Sequence, residues 1–261
     1  MTIEIPLARR DAILQRLERG EPVVASALAA EFGVSEDAIR RDLRALAAEG
    51  RCRRVYGGAL PLGPNSKPML ARVDEARERK ESLARKAAGT IKQGEFVFLD
   101  AGSTNLALVE FLPEDVGLTV ATNSIDIAAA ILRRGDLALI MIGGSVEPEV
   151  GGCIDASAVQ AVSALNIDRC FIGACAVSAK SGLGAVHHAD AQFKRALVSA
   201  SQSCIALITA EKFDAKAPHR VAPVKDIHQL VIEGSAPEGA LDKLRNAGAT
   251  ILLAETSATS T

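Results

Sequence analysis

The sequence predicts an α/β protein in two parts: an N-terminal winged helix-turn-helix followed by an open, mostly parallel α/β sheet domain. Two observations predict this fold class. Three short helical patterns come first and lead into an extended run that closes on a Gly-Gly turn. Further along, apolar runs alternate with helical patterns, as in parallel strands covered on both faces. Since Gly and Pro break both periodicities at 57–68, we predict the winged helix-turn-helix over 1–60, a linker over 61–71, the α/β domain over 72–255 and a tail over 256–261.

The N-terminal part contains three helical patterns that end at glycines. LARRDAILQRLERG has its apolar residues on one side, ASALAAEFG stops at Gly33, and SEDAIRRDLRALAAEG runs from a Ser35 N-cap to a Gly50 C-cap. The short link from Gly33 to Glu36 is the spacing of a helix-turn-helix. Apolar residues of the third helix recur at i, i+4 and i+7 and must face the core. The residues that this arrangement turns outward are Arg40, Arg41 and Arg44.

The segment AAEFGVSEDAIRRDLRALAAEGRCRRVYGGA resembles the N-terminal domain of the DeoR family of bacterial transcriptional regulators. The match joins a recognition helix and a wing hairpin at the right separation, and basic charge is concentrated there, as a DNA-facing surface requires. Ala38 stands where the family usually has Thr, and Tyr56 where it has His. The predicted DNA contacts are Arg40 and Arg41 to phosphates and base edges, Ser35 to the backbone, Arg54 in the wing to phosphate, and the outward Arg44.

The C-terminal part predicts polar groups at successive strand ends. After the charged helix VDEARERKESLARKAAGTI, the strand-like runs are FVFLD, LTVAT, LALIMIGG, RCFIGA, CIALIT, QLVIE and TILLA. Ligands of open parallel sheets bind beyond the carboxyl ends of the strands, and helix starts there favour anions. The small and polar residues at these ends predict a shared anion pocket. They are Asp100, Gly102, Ser103, Thr104, Thr122, Asn123, Gly143 and Gly144.

A second resemblance covers most of the remaining chain. FLDAGSTN, VATNS, MIGGSV, DRCFIGA, GLGAVHHADAQFKRAL and ITAEKFD occur in the order of the DeoR family's C-terminal sensor domain, which is similar to the sugar-phosphate isomerase fold of ribose-5-phosphate isomerase. The resemblance implies that the strand-end residues surround a phosphate and that Lys212 adds a charge contact. It also implies ligand positions at Asp190, where Glu is usual, and at Lys194. In the last motif Thr209, Glu211 and Asp214 replace the usual Asp, Ser and Gly.

The sequence favours a sensor over an enzyme. Isomerases of this fold use an Asp-Gly-Ala-Asp-Glu segment, whereas residues 171–175 carry no carboxylate, so we predict no catalytic residues. The adjacent His187 and His188 are interpreted as a surface loop or as ligand hydrogen-bonding groups, since no third metal ligand has a convincing spacing. Two alternatives stay open. One is a sugar-phosphate isomerase fused to a DNA anchor, and the other is an α/β domain that only oligomerises.

Composition sets the remaining expectations. The 261 residues, 48% hydrophobic and 24% charged, suffice for globular cores. No apolar run approaches the roughly eighteen residues of a membrane helix, and no secretion signal precedes the helices, so we expect a cytoplasmic protein with no membrane partner. Five cysteines without a Cys-x-x-Cys pair indicate reduced thiols, no metal and no cofactor. We expect a transcriptional regulator, a repressor of a carbohydrate-utilisation operon, that binds operator DNA and a phosphorylated sugar as a homodimer or homotetramer.

Overall fold

The computed structural model describes residues 6–19, 21–61, 69–213 and 215–255. Most of the predicted linker, the predicted tail and Asp214 lie outside these ranges. The chain divides into two compact units, Met1–Ala71 and Arg72–Thr261. In the described part of the chain, no helix combines the length and the hydropathy needed to cross a bilayer.

The N-terminal unit is a winged helix-turn-helix, as predicted. Its elements are α1 (Pro6–Glu18), β1 (Val23–Val24), α2 (Ala25–Phe32), α3 (Glu36–Ala48), β2 (Cys52–Val55) and β3 (Gly58–Pro61). The strands form an antiparallel sheet in the order β1-β3-β2. Helix α2 ends at Gly33, whose φ of 63° is the left-handed conformation that glycine adopts most readily. The apolar core between the helices includes Ile13, Leu28, Ile39, Leu43 and Leu46.

Two glycines make the hairpin of β2 and β3 possible. Gly57 has a φ of 82°, and no other heavy atom limits the space at this turn. Gly58 is different, because a Cβ there would lie 2.0 Å from the carbonyl oxygen of Val23. The short strand β1 can therefore pair with β3 only if residue 58 has no side chain.

The C-terminal unit contains a central parallel sheet with helices on both faces. Its helices are α4 (Arg77–Ala88), α5 (Ser103–Leu108), α6 (Ile125–Arg134), α7 (Ala156–Ser163), α8 (His188–Ser199) and α9 (Glu238–Asn246). Its strands are β4 (Phe96–Leu99), β5 (Thr119–Thr122), β6 (Ala138–Met141), β7 (Val146–Glu147), β8 (Gly152–Cys153), β9 (Ile167–Ile172), β10 (Ala176–Ser178), β11 (Gly182–Ala185), β12 (Ser201–Ile208), β13 (His219–Ala222), β14 (Gln229–Glu233) and β15 (Ile251–Ala254).

The order of the seven central strands locates the point where a ligand can approach. The order is β15-β14-β12-β9-β4-β5-β6, and the pairs are parallel. From β4 the chain adds β5 and β6 on one side, and the next central strand, β9, lies on the other side. Connections therefore diverge between β4 and β9, which leaves a crevice at their carboxyl ends. The open parallel sheet predicted from the sequence is confirmed.

Two small antiparallel sheets supplement the central one. One has the order β10-β11-β13, and the other pairs β7 with β8. The sequence patterns did not predict them. Apolar clusters cover both faces of the central sheet, with Phe98 and Phe193 in one cluster and Val97 and Leu99 in the other.

Candidate functional site

Asp100 lies at the crevice, immediately after β4. It is fully buried, and its Oδ2 accepts a hydrogen bond from the Gly173 N–H at the end of β9 at 2.8 Å. The same oxygen is 2.8 Å from Lys194 Nζ, and Lys194 also pairs with Asp190 Oδ1 at 2.5 Å. Asp190 and Lys194 are one turn apart on the buried face of α8. Three residues predicted for one site are thus in contact.

Two buried carboxylates share one ammonium in this triad. Burial raises the pKa of Asp100, although Lys194 opposes the shift. Burial by itself would lower the pKa of Lys194, but the charges of Asp100 and Asp190 outweigh it and raise that pKa. The second oxygen of Asp100, Oδ1, is buried and has no hydrogen-bond partner in the described part of the chain. It can accept a hydrogen bond from a ligand hydroxyl.

The turn after Asp100 presents polar groups that no neighbour uses. Ser103 and Thr104 begin α5, and both are largely buried. Among the described residues, neither hydroxyl has a hydrogen-bond partner. Gly102 has an extended φ of 163°, which any residue adopts, and a Cβ there would meet no atom within 4 Å. Neither backbone strain nor packing requires this glycine, and its effect is to leave the space beside the turn open.

Thr122 and Asn123 at the end of β5 are fully buried and bind backbone groups. Thr122 Oγ1 donates to the Leu99 carbonyl at 2.6 Å and accepts from the Ser124 N–H at 3.0 Å. Asn123 Oδ1 accepts from the Ala101 N–H at 3.0 Å, and its Nδ2 donates to a carbonyl oxygen at 3.1 Å. These two side chains join neighbouring strand ends. They fix the shape of the crevice by these contacts.

The two glycines after β6, Gly143 and Gly144, differ in the space around them. A Cβ at Gly143 would meet no atom within 4 Å. Gly144 has a φ of 143°, and a Cβ there would be 2.5 Å from Asp155 Oδ1. Asp155 caps α7 by accepting from the Ala158 N–H at 3.0 Å, and it also accepts from the Ser145 N–H at 2.7 Å. Gly144 therefore allows the chain to pass close to this cap.

Three cations lie close to each other beside the crevice. Lys212, in the short turn after β12, is partly buried and donates to the Leu207 carbonyl at 3.0 Å. The pKa of Lys212 is lowered to about 8, mainly by burial; the charges of Arg72 and Lys80 act in the same direction, and those of Cys175 and Glu211 oppose them. Burial also lowers the pKa of Arg72 and of Lys80, and Lys80 Nζ donates to the Arg72 carbonyl. Sequence reasoning identified Lys212 and missed Arg72 and Lys80.

One sequence signal indicates Lys80. Helix α4 buries Leu83 and Ala87, and Lys80 precedes them at the i, i+3, i+7 spacing of the same stripe. A lysine within an apolar stripe is a candidate for a buried charge, whereas the other charged residues of this helix resemble a solvated face. Lys80 and Ser103 both line a cavity of about 310 Å³. This cavity connects the cations of α4 with the turn at α5.

The adjacent His187 and His188, interpreted from the sequence as a surface loop or as ligand hydrogen-bonding groups, lie at the start of α8. His187 Nε2 is 2.8 Å from Glu149 Oε2. The ring of His188 packs edge-on against that of His219 at 5.2 Å between centroids. Among the described residues, no group of histidine, cysteine and carboxylate side chains is arranged to hold a metal.

The arginines of α3 that are predicted to face DNA differ in whether a carboxylate of the protein pairs with them. Arg40 pairs with Glu36 at 2.7 Å and with Asp37 at 3.5 Å, so two carboxylates of its own helix hold its guanidinium. Arg41 and Arg44 are exposed and form no ion pair with any residue that the structure describes. The acidic residues at the start of α3 thus neutralise part of the charge of Arg40, whereas Arg41 and Arg44 have no ion-pair partner among the described residues and can bind an external anion.

Two further residues of the predicted interface are located by the structure. Ser35 caps α3, because its hydroxyl accepts from the Ala38 N–H at 3.3 Å. Arg54 is exposed on β2, and Tyr56, two residues further on in the hairpin turn, is fully exposed.

Asp42 of the IRRDL segment points inward. It pairs with Arg9 of α1 at 2.7 Å, and both side chains are about nine-tenths buried. This ion pair and the apolar residues of α3 fix the rotation of the helix about its axis. They determine which side chains of α3 face outward.

Known proteins resemble the chain over nearly its whole length. The sequence profile of the DeoR-like helix-turn-helix domain matches residues 9–62, and that of the DeoR C terminal sensor domain matches residues 75–234. A putative aga operon transcriptional repressor of Escherichia coli O157:H7 is 26% identical over 249 residues, which are 94% of this chain and 93% of the relative. The glycerol-3-phosphate regulon repressor of Escherichia coli K12 is 26% identical over 237 residues, 90% of this chain and 94% of the relative. Among solved structures, ribose 5-phosphate isomerase A from Neisseria gonorrhoeae aligns with a TM-score of 0.38 at 16% identity, covering 52% of this chain and 53% of that one.

Proposed function

Since the chain belongs to the DeoR family of DNA-binding transcriptional regulators, we propose that its C-terminal unit binds a phosphorylated sugar or a related anionic metabolite, and that this binding changes the affinity for operator DNA. The observation that carries the proposal is the cluster of Arg72, Lys80 and Lys212 beside the crevice. Burial lowers the pKa of all three side chains, and the charge of Arg72 also lowers the pKa of both lysines, so keeping the three groups charged is unfavourable and a bound anion offsets part of that free energy. One relative is named for a glycerol phosphate regulon, which agrees with a phosphorylated ligand.

The proposed ligand contacts divide into two groups. The three cations and the free groups of Gly102, Ser103 and Thr104 surround the phosphate. Asp100 Oδ1, which has no partner among the described residues, accepts a hydrogen bond from a sugar hydroxyl. The residues that hold or shape this site are Asp190, Lys194, Thr122, Asn123, Gly143 and Gly144.

On the DNA side, Arg41, Arg44 and Arg54 make the main charge contacts in this proposal. Arg40 contributes less, because Glu36 and Asp37 already hold its guanidinium. One winged helix reads few base pairs, so specific recognition needs two reading heads in a homodimer or homotetramer. The ligand is released unchanged in this scheme, because the strand end at 171–175 provides no carboxylate base.

The test measures the coupling between ligand and DNA. A thermal-shift screen of phosphorylated and sulfonated sugars identifies the ligand, and fluorescence anisotropy then gives operator affinity with and without it. Ligand should change wild-type operator affinity by roughly 5–150-fold. Replacing Ser103 with Asp places a carboxylate against the phosphate and should abolish this response, and Thr104→Ala should weaken it.

Ser157→Asp is the matched control, because it makes the same change in the first turn of α7, where the side chain is exposed. It should respond to ligand as wild type does. An unchanged ligand response in both Ser103→Asp and Thr104→Ala would exclude the turn at 102–104 as the phosphate site. Conversion of the ligand to an isomer, followed by NMR, would instead establish an enzyme.

A further inference from the structure

Strand β6 forms one edge of the central sheet, and its residues are all apolar. It pairs with β5 on one side and with no strand of the described chain on the other. Its four residues, Ala138 to Met141, include no charge and no proline. Ile140 and Met141 are each 40% exposed.

Exposed apolar side chains flank this edge. Ile125 and Leu132 lie on the outer side of α6, which precedes β6, and Leu132 is 70% exposed. Val146 of β7, which follows β6, is also exposed. The opposite edge strand, β15, has a single exposed large apolar residue, Leu253. We call the surface formed by Ile125, Leu132, Ile140, Met141 and Val146 the β6 patch.

An uncovered edge of this kind is unfavourable in a monomer. Natural sheets protect their edges with charged residues, prolines or bulges, because free N–H and C=O groups pair readily with other strands. The strand has none of these features, and the exposed apolar side chains add surface that is stabilised by burial. We propose that the β6 patch is the contact between two copies of this chain, with the two β6 strands antiparallel across a two-fold axis.

A second copy suits this edge because the edge is complementary to itself. Two identical strands related by a two-fold axis perpendicular to their direction run antiparallel and can exchange backbone hydrogen bonds along their length. The central sheets of the two copies then form one continuous sheet. Both contacting surfaces are the same apolar patch, so each copy buries what the other exposes.

The charges at the two ends of β6 are also complementary. Arg133, just before β6, is exposed and forms no ion pair with any described residue, whereas Arg134 is held by Asp136 at 2.6 Å. Glu147 follows β6 in the chain, as does Glu149, whose Oε2 is 2.8 Å from His187 Nε2 of the same copy. An antiparallel two-fold arrangement brings the start of one strand to the end of the other. It therefore places Arg133 of each copy near the acidic end of its partner, and a parallel arrangement would not.

Light scattering and sedimentation on the full chain test the patch. Ile140→Lys places a charge on the edge strand and should lower the assembly state, from dimer to monomer or from tetramer to dimer. Leu253→Lys is the matched control, because it makes a similar change at an equally exposed position of the opposite edge. It should leave the mass unchanged. A monomeric wild type, an unchanged mass in Ile140→Lys, or dissociation by Leu253→Lys would each overturn the proposal.

Charge reversal tests the antiparallel orientation with changes at surface positions. Arg133→Glu and Glu147→Arg should each raise the dimer dissociation constant several-fold at low salt, and the double variant should restore it. If the dissociation constant of the double variant instead shows the sum of the two single effects on the free energy of association, the proposed pairing is excluded. The proposed contact between copies is independent of effector binding. Calorimetry on Ile140→Lys measures effector binding separately from the assembly state, so failure of one proposal is distinguishable from failure of the other.

Discussion

Lys194→Met should destabilise the C-terminal unit strongly, because it leaves Asp100 and Asp190 buried without their cation. The ammonium lies 2.8 Å from one carboxylate and 2.5 Å from the other, and both side chains are at least 96% buried. Removing one partner of a buried pair costs about 3–5 kcal/mol. Met retains most of the volume of the lysine stem, so a cavity contributes little.

The destabilisation caused by Lys194→Met has an upper limit that depends on pH. A buried carboxylate without a cation can take up a proton, and protonating an Asp of ordinary pKa, about 3.9, costs about 4 kcal/mol at pH 7 and about 1.5 kcal/mol at pH 5. Since the folded-state pKa of the unpaired carboxylate is raised, the destabilisation appears as pH rises above the unfolded-state pKa. The deficit of the variant should therefore be larger at pH 7 than at pH 5.

Thermal unfolding followed by circular dichroism measures both effects. A loss of 3–5 kcal/mol corresponds to a Tm decrease of about 6–20 °C for a unit of this size. Lys243→Met, at an exposed position of α9, is the control and should change Tm by less than about 2 °C. A Tm decrease in Lys194→Met that is equally small, or that is the same at pH 5 and pH 7, would refute the shared-charge explanation of this triad.

Three other predictions concern the two units separately. Arg41→Ala should weaken operator binding and reduce the slope of log K against log salt concentration by about 0.9, measured by anisotropy at several salt concentrations. Arg40→Ala should have a smaller effect, because Glu36 and Asp37 already pair with that side chain. Gly58→Ala should destabilise the N-terminal unit by about 1–3 kcal/mol or more in urea unfolding, because the added Cβ would overlap the carbonyl of Val23; wild-type stability would contradict this. Effector affinity should fall as pH rises through about 8, the pKa to which burial lowers Lys212, and calorimetry should show this dependence lost in Lys212→Arg, which stays charged.

The sequence predicted the elements that have a clear period. The seven central strands are apolar runs between helices, and all seven were identified from the sequence. The small sheet of β10, β11 and β13 was missed because its strands are short and its middle strand is GLGA, which has few residues of high strand propensity. Gly182 is required there by close approach, since a Cβ would lie 2.1 Å from the Ala222 carbonyl oxygen. Such contacts depend on residues distant in sequence, which a local pattern does not contain.

The structure shows where the residues of the candidate site lie, and their roles in ligand binding stay predictions. Asp100 and Ser103 were expected at a strand end, and the structure locates them at the crevice. Thr122 was expected to bind the ligand, whereas its hydroxyl binds two backbone groups, because a polar residue after a strand satisfies either need equally well. Lys80 was missed because a charged helix is usually solvated, and its place in the apolar stripe of α4 was not interpreted as a sign of a buried charge.

Operator preference in this protein can evolve without changes to its scaffold. The ion pair of Arg9 and Asp42 and the apolar residues of α3 set the rotation of the helix from the inner side, while Arg41 and Arg44 are exposed and form no ion pair with any described residue. If Arg41 and Arg44 contact DNA as proposed, substitutions at these outer positions would change operator contacts one at a time without altering the packing of α3. Loss of Arg9 would be different in kind. It would leave every outward residue unchanged but remove one of the contacts that fix the rotation of α3, so a substitution on the inner side would weaken binding to every operator.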